Sequence, residues 1–137
     1  MRPKHFMRYA LALCLLTLTP LAASAAAPAT GSLIKISSVP AVYYYGADAK
    51  RYVFPTEKTF KTWYADFSSV QVIADADLFA IPIGGNVTYR PGVKMVKITT
   101  DPKVYAVSKG GVLRHVATEA VASALFGATW NTQVNDI

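Results

Sequence analysis

Lys35-Ile36-Ser37-Ser38-Val39-Pro40-Ala41-Val42-Tyr43 returns as Lys97-Ile98-Thr99-Thr100-Asp101-Pro102-Lys103-Val104-Tyr105, 62 residues further on. The correspondence continues without a gap through Thr56-Glu57 against Thr118-Glu119, and reaches Gln71-Val72 against Gln133-Val134. Between 35–72 and 97–134, 9 of 38 aligned positions are identical. Unrelated stretches of ordinary composition would share about two or three. Self-similarity at a fixed period marks a repeated structural unit. The expected fold is α+β, a tandem repeat of a small antiparallel β-meander followed by a short helix. Unit one is expected at 33–93 and a truncated unit two at 94–137.

In unit one, 33–36, 41–45 and 51–54 are short, apolar and rich in β-branched or aromatic residues, as strands are. Gly46-Ala47-Asp48-Ala49 supplies a turn. Pro55-Thr56-Glu57 opens a helix, with Thr56 to cap its free amides and Glu57 at the positive end of its dipole. Phe60, Trp63, Tyr64 and Phe67 follow at i, i+3, i+4 and i+7, which predicts one aromatic helical face. That face either packs on the sheet or offers a ligand-stacking platform. Val70-Gln71-Val72-Ile73 reads as a fourth strand, 75–79 as a helical turn with Asp75 as N-cap, and 81–86 as a turn. Unit two repeats the plan with strands at 94–99, 103–107 and 112–116. Its helix is capped by Thr118, carries Val121, Leu125 and Phe126 on its apolar face, and closes at Gly127.

Alternate strand side chains face opposite sides, so Tyr43 and Tyr45 share one face and Tyr44 takes the other. Tyr43 recurs as Tyr105, which places it in the core. Tyr44 becomes Ala106, which places it at the surface. Tyr44 and Tyr52 beside Lys50 and Arg51 form the candidate ligand-binding set, because exposed tyrosine next to cations stacks on sugars or meets anionic polymers. Ordinary cross-strand packing is the alternative.

The front of the chain has the pattern of an export signal. Arg2, Lys4 and Arg8 precede a short apolar run, Pro20 breaks it, and Ala23-Ser24-Ala25 offers a small-x-small cleavage site. Cleavage after residue 25 would leave 112 of the 137 residues. Three basic residues would leave too, taking the formal charge from +6 to +3. Cys14 would also leave, which excludes cysteine catalysis and disulfides. Residues 26–32 read as a flexible leader. The expected location is outside the cytoplasm: extracellular, cell surface or periplasm. No membrane span is expected in the mature chain, and a charge of +3 on an exported chain disfavours nucleic acid.

His115 is the one histidine left after cleavage, with no Gly-x-Ser-x-Gly elbow to serve. Glu57 and Glu119 are matching helix-start residues, and Asp48 and Asp101 are turn residues, so their positions explain them without catalysis. Asp75-x-Asp77 lacks the further oxygen ligands and glycine turn of a calcium loop. No catalytic residue, cofactor or metal is expected.

Val42-Tyr43, Lys50-Arg51-Tyr52-Val53-Phe54-Pro55, Thr56-Glu57, Asp75-Ala76-Asp77-Leu78 and Ile81-Pro82-Ile83-Gly84 together resemble a repeat of secreted and cell-surface bacterial proteins. The resemblance covers most of 31–137. It implies an accessory module outside the cytoplasm, often in tandem, and no catalytic role. His115 departs from it, since an aromatic residue is expected there. The functional expectation is a non-catalytic surface or cell-envelope module. Its partner would be envelope polysaccharide or another surface protein. A structural spacer of a surface array, self-associating through the C-terminal edge at Gln133-Val134, is the alternative; a hydrolase is a distant third.

Overall fold

Leu33 and Ile34 are sequence neighbours and both are buried, so their strand is covered on both faces. The computed structural model describes residues 26–137; the expected signal peptide lies outside the described residues. Among the described residues the fold is α+β, with two sheets and three short α-helices. In the first sheet, β1 (Leu33–Lys35), β2 (Tyr43–Tyr45) and β3 (Arg51–Val53) form the expected antiparallel meander. Its flanks differ from a meander. After α1 (Glu57–Lys61), β4 (Val70–Val72) lies parallel to β1. After α2 (Asp75–Ala80), β5 (Ile83–Asn86) lies parallel to β3. Each helix acts as the crossover that a parallel pairing needs. The order is β4-β1-β2-β3-β5.

The segment expected as a turn at 81–86 is thus largely a strand. Two glycines hid it from a propensity reading, and Gly84 has a packing reason to be glycine. A methyl group there would overlap the Tyr52 ring.

The second sheet contains β6 (Met95–Lys97), β7 (Tyr105–Val107), β8 (Leu113–His115) and β9 (Val134–Asp136), in the order β8-β7-β6-β9. α3 (Glu119–Phe126) connects β8 to β9, which runs parallel to β6. The gapless 62-residue correspondence stops before this strand. Val70 lies opposite Leu33, whereas Val134 lies opposite Met95. Ile73 donates its amide to Lys35 O and Ile137 donates to Lys97 O, both at 2.9 Å. The spacing here is therefore 64 residues, and Gln71/Gln133 and Val72/Val134 do not occupy equivalent strand positions. The chain between helix and last strand is two residues longer in the second sheet.

Thr56 and Thr118 cap their helices as expected, accepting from Thr59 N at 3.1 Å and Val121 N at 3.3 Å. Other helix expectations are corrected. α1 stops at Lys61, where the Thr62 hydroxyl donates to Thr59 O at 2.7 Å. Phe60 alone of its four aromatics is buried; Trp63 and Phe67 are exposed. Asp75 lies inside α2, whose N-cap is Ala74. α3 buries Ala122 and leaves Val121 and Leu125 in solvent. Gly127 has φ 82° but an extended ψ of 179°, so it closes α3 outside the left-handed helical region.

Phe60, Leu33, Val42 and Phe54 form the core on the α1 face of the first sheet. Leu78 of α2 packs with Ile34, Ile36 and Tyr45 on the other. In the second sheet, Tyr89 from the connecting segment packs on Val96 and Val107. The leader is partly fixed: Gly31 N donates to Tyr45 O and Tyr45 N donates to Ser32 O, at 2.8 and 2.9 Å. Three polar contacts tie α1 and its exit to later parts of the chain. Lys58 Nζ donates to Asp136 O (2.8 Å), Trp63 Nε1 to Thr88 O (2.8 Å), and Arg90 N to the Thr62 hydroxyl (3.0 Å).

Candidate functional site

The four sequence-selected residues do not converge on one surface. Tyr44 and Tyr52 are cross-strand partners on the α1 face. Tyr44 is half-buried and packs against the Phe60 cluster, so it is not a free ring. Its neighbour Tyr64 has its phenol pKa pushed up, first by burial and then by repulsion from Tyr44. Tyr52 is half-buried, with its hydroxyl donating to Asp48 Oδ2 at 2.6 Å. That bond raises the Tyr52 pKa and lowers that of Asp48.

Arg51 points to the α2 face and is only 8% exposed. Its Nη1 donates to Leu78 O at 2.8 Å, and its guanidinium lies 5.0 Å from the Tyr43 ring centre. It is a structural clamp on α2, while its Nε has no partner. Lys50 is exposed, 4.0 Å from Asp48. Only Tyr52 and Lys50 face solvent near one another, through Asp48.

His115 is exposed, and its ring lies 5.7 Å from that of Tyr105. It lines a shallow hollow of about 280 Å³ with Thr118, Glu119 and Trp130. A hollow of the same construction recurs in the first sheet, lined by Val53, Thr56, Glu57 and Phe60, with valine in the histidine's place. The shape therefore follows from the strand–helix arrangement and is not built around His115. Ser108, a neighbouring hydroxyl, donates to Val112 O and accepts from Arg114 Nε. Among the described residues, no group of three or more His, Cys, Asp or Glu is placed to hold a metal ion. No helix among them is long and apolar enough to cross a membrane.

A further concavity was not anticipated from sequence. A groove of about 780 Å³ runs between the start of α1, the segment 86–89 and one face of the second sheet. Leu113 and Ile137 are its exposed apolar lining, above Val96 and Val107, which Tyr89 covers; Thr56 and Thr59 form one wall, and Lys58 and Asp136 its charged rim. Leu113 and Val112 are exposed beside it, and Ile98 extends the same sheet face. β8 is an edge strand. Val116 N bonds Val104 O and Ser108 N bonds Val112 O, so strand alternation aims the backbone groups of Leu113 and His115 away from β7. The site thus combines an apolar groove with an open strand edge, which suits a polypeptide better than a small polar solute. Its apolar residues Ile98, Val112 and Leu113 are visible in the sequence, but their exposure is not.

The fold and site define an α+β chain with two sheets and an apolar groove. No known family, curated protein or solved structure matches it significantly.

Proposed function

We propose that the chain is a non-catalytic exported module of the bacterial surface or cell envelope, and that it acts by docking another surface protein. It consists of two copies of one unit, 33–93 and 94–137, and the second copy carries the docking surface. The observation that carries this reading is the groove lined by exposed Leu113 and Ile137 beside the unpaired edge of β8. Exposed apolar surface next to free backbone donors and acceptors is the chemistry of strand-addition interfaces. The duplication is supported by seven identities between 35–57 and 97–119, where the 62-residue frame holds, and by matching β-meanders in the two sheets.

Envelope polysaccharide is the second reading, favoured by the half-exposed Tyr52 ring beside Asp48 and Lys50. Self-association through β9 is the spacer alternative. Gln133 accepts from Lys94 Nζ at 2.6 Å and Val134 pairs with β6, which leaves the outer side of that strand, where Lys58 Nζ already bonds Asp136 O.

Site-specific photo-crosslinking in the exporting cell separates these. A crosslinker at position 113 should yield protein adducts, and one at position 50 should not. Glycan adducts at 50 with none at 113 favour the second reading. A folded protein with adducts at neither position contradicts both.

A further inference from the structure

The β-hairpins of the two units differ in charge. From Pro40 to Pro55 the first carries Lys50, Arg51 and Asp48. Arg51 is buried on Leu78 O, and Lys50 lies 4.0 Å from Asp48. Its outer strand β3 is covered by β5, whose residues Ile83–Asn86 carry no charge. The matching stretch, Pro102 to Ala117, carries Lys103, Lys109 and Arg114 and no carboxylate. Among the described residues none of these three cations pairs with an acid. Arg114 Nε donates instead to the Ser108 hydroxyl, at 3.3 Å. No strand of the described residues covers the outer side of β8. The neutralised hairpin thus has an uncharged cover, and the cationic hairpin has none.

We infer that the outer side of β8 takes an acidic, extended segment of a partner surface protein as an added strand. The inference rests on the docking-module reading and names the partner's chemistry. The segment lies in the plane of the sheet, beside β8, and needs no space over the buried Val96 and Val107. Its backbone bonds to the outward amides and carbonyls of Leu113 and His115, a row of groups that a polysaccharide does not match. Alternation along β8 puts Arg114 on one face of the sheet and Leu113 on the other. The incoming side chains alternate too: carboxylates beside Arg114, apolar groups beside Leu113, which is 48% exposed. Lys109 precedes β8, and Lys103 precedes the antiparallel β7, so cations flank both ends of the edge. A second copy is disfavoured by the same charges. Antiparallel pairing of two β8 strands through Leu113 and His115 sets Arg114 against Arg114.

The test titrates the purified, ¹⁵N-labelled chain with the end-capped peptide Glu-Val-Glu-Val-Glu. Amide shifts should cluster at 112–116, and exchange of the Leu113 amide should slow by about tenfold or more at saturation. Lys-Val-Lys-Val-Lys should do neither. Arg114→Glu, at an exposed position, should reverse the preference between the two peptides. A lone short strand is marginal in water, so a second version joins each peptide to Ile137 through a flexible linker of about ten residues. Its reach of about 17 Å spans the three strand spacings from β9 to β8, about 15 Å. Attachment gives an effective concentration of about a millimolar. The glutamate version should then protect Leu113, and rising salt should weaken that protection. Absent protection by the glutamate strand in both versions overturns the inference. Equal protection by a tethered Thr-Val-Thr-Val-Thr also overturns it, because pairing then ignores charge, and the docking reading stands. If no strand of any charge protects Leu113 in the folded chain, both fail. Heparin that shifts the Lys109 and Arg114 amides of a chain no peptide protects would assign the cations to an anionic polysaccharide.

Discussion

Phe60→Ala tests the core and the helix boundary together. The Phe60 ring is 1% exposed. It lies edge-on to Phe54 at 5.1 Å, stacked on Phe67 at 4.3 Å and tilted against Tyr64 at 5.3 Å. Truncation leaves a cavity bounded by Leu33, Val42 and Phe54, at a cost of about 3–5 kcal/mol. Phe67 is 44% exposed and touches the core through its stack on Phe60. Phe67→Ala removes roughly half a buried ring and one aromatic pair, about 1–2 kcal/mol. Urea unfolding followed by far-ultraviolet circular dichroism gives both values, with unchanged slopes confirming that only stability has moved. The expected result is a loss at Phe60 at least about twice that at Phe67. Equal losses would refute the reasoning, because they require both rings on one buried face of a longer helix.

Gly84→Ala should destabilise by about 1–3 kcal/mol through overlap with the Tyr52 ring, and Tyr52→Ala in the same chain should recover part of that loss in a denaturant titration. Ala49 holds φ 58°, and its counterpart 62 residues on is Gly111; Ala49→Gly should raise thermal stability by about 0.5–1 kcal/mol. Thr56→Ala removes the cap of α1 and should cost about 0.5–2 kcal/mol in the same assay. The Tyr52 phenol should ionise above its ordinary 10.0 in an ultraviolet titration, and Asp48→Asn should lower it again. Because the folded phenol pKa is raised, its contribution is complete below pH 10.0 and is lost as pH rises through the raised value. Asp48 has the opposite sign: its contribution is present above 3.8 and is lost as acidification passes its lowered value.

The strands at the centre of each sheet were legible because Val42-Tyr43 and Val104-Tyr105 return in a fixed frame. The helix caps were legible because Thr56 and Thr118 have a local mechanism that needs no tertiary contact. What failed was mostly tertiary. Alternation along Tyr43-Tyr44-Tyr45 implied one solvent face, but α2 on one side and α1 on the other cover both. Unbroken apolar stretches such as Leu33-Ile34 are the sign of two-sided burial. The spacing of Phe60, Trp63, Tyr64 and Phe67 fits a helix, yet Thr62 bonds back to Thr59 and ends it. β5 was hidden because a glycine-rich strand has no propensity signal, its reason being the Tyr52 ring that lies over Gly84. Arg51 looked like a ligand contact because nothing local reveals that Leu78 O awaits it. The groove was invisible for a related reason: a concavity depends on what does not cover a surface.

Residue-resolved amide exchange on the free chain compares two matched strand positions directly. Arg51 N donates to Pro82 O, so its amide should be protected. Leu113 holds the corresponding place in β8, an edge strand, and its amide should exchange near the rate of an open loop while Val96 remains protected. Protection of Leu113 equal to that of Arg51 in the free chain would contradict the account, since the edge proposed for docking would already be closed.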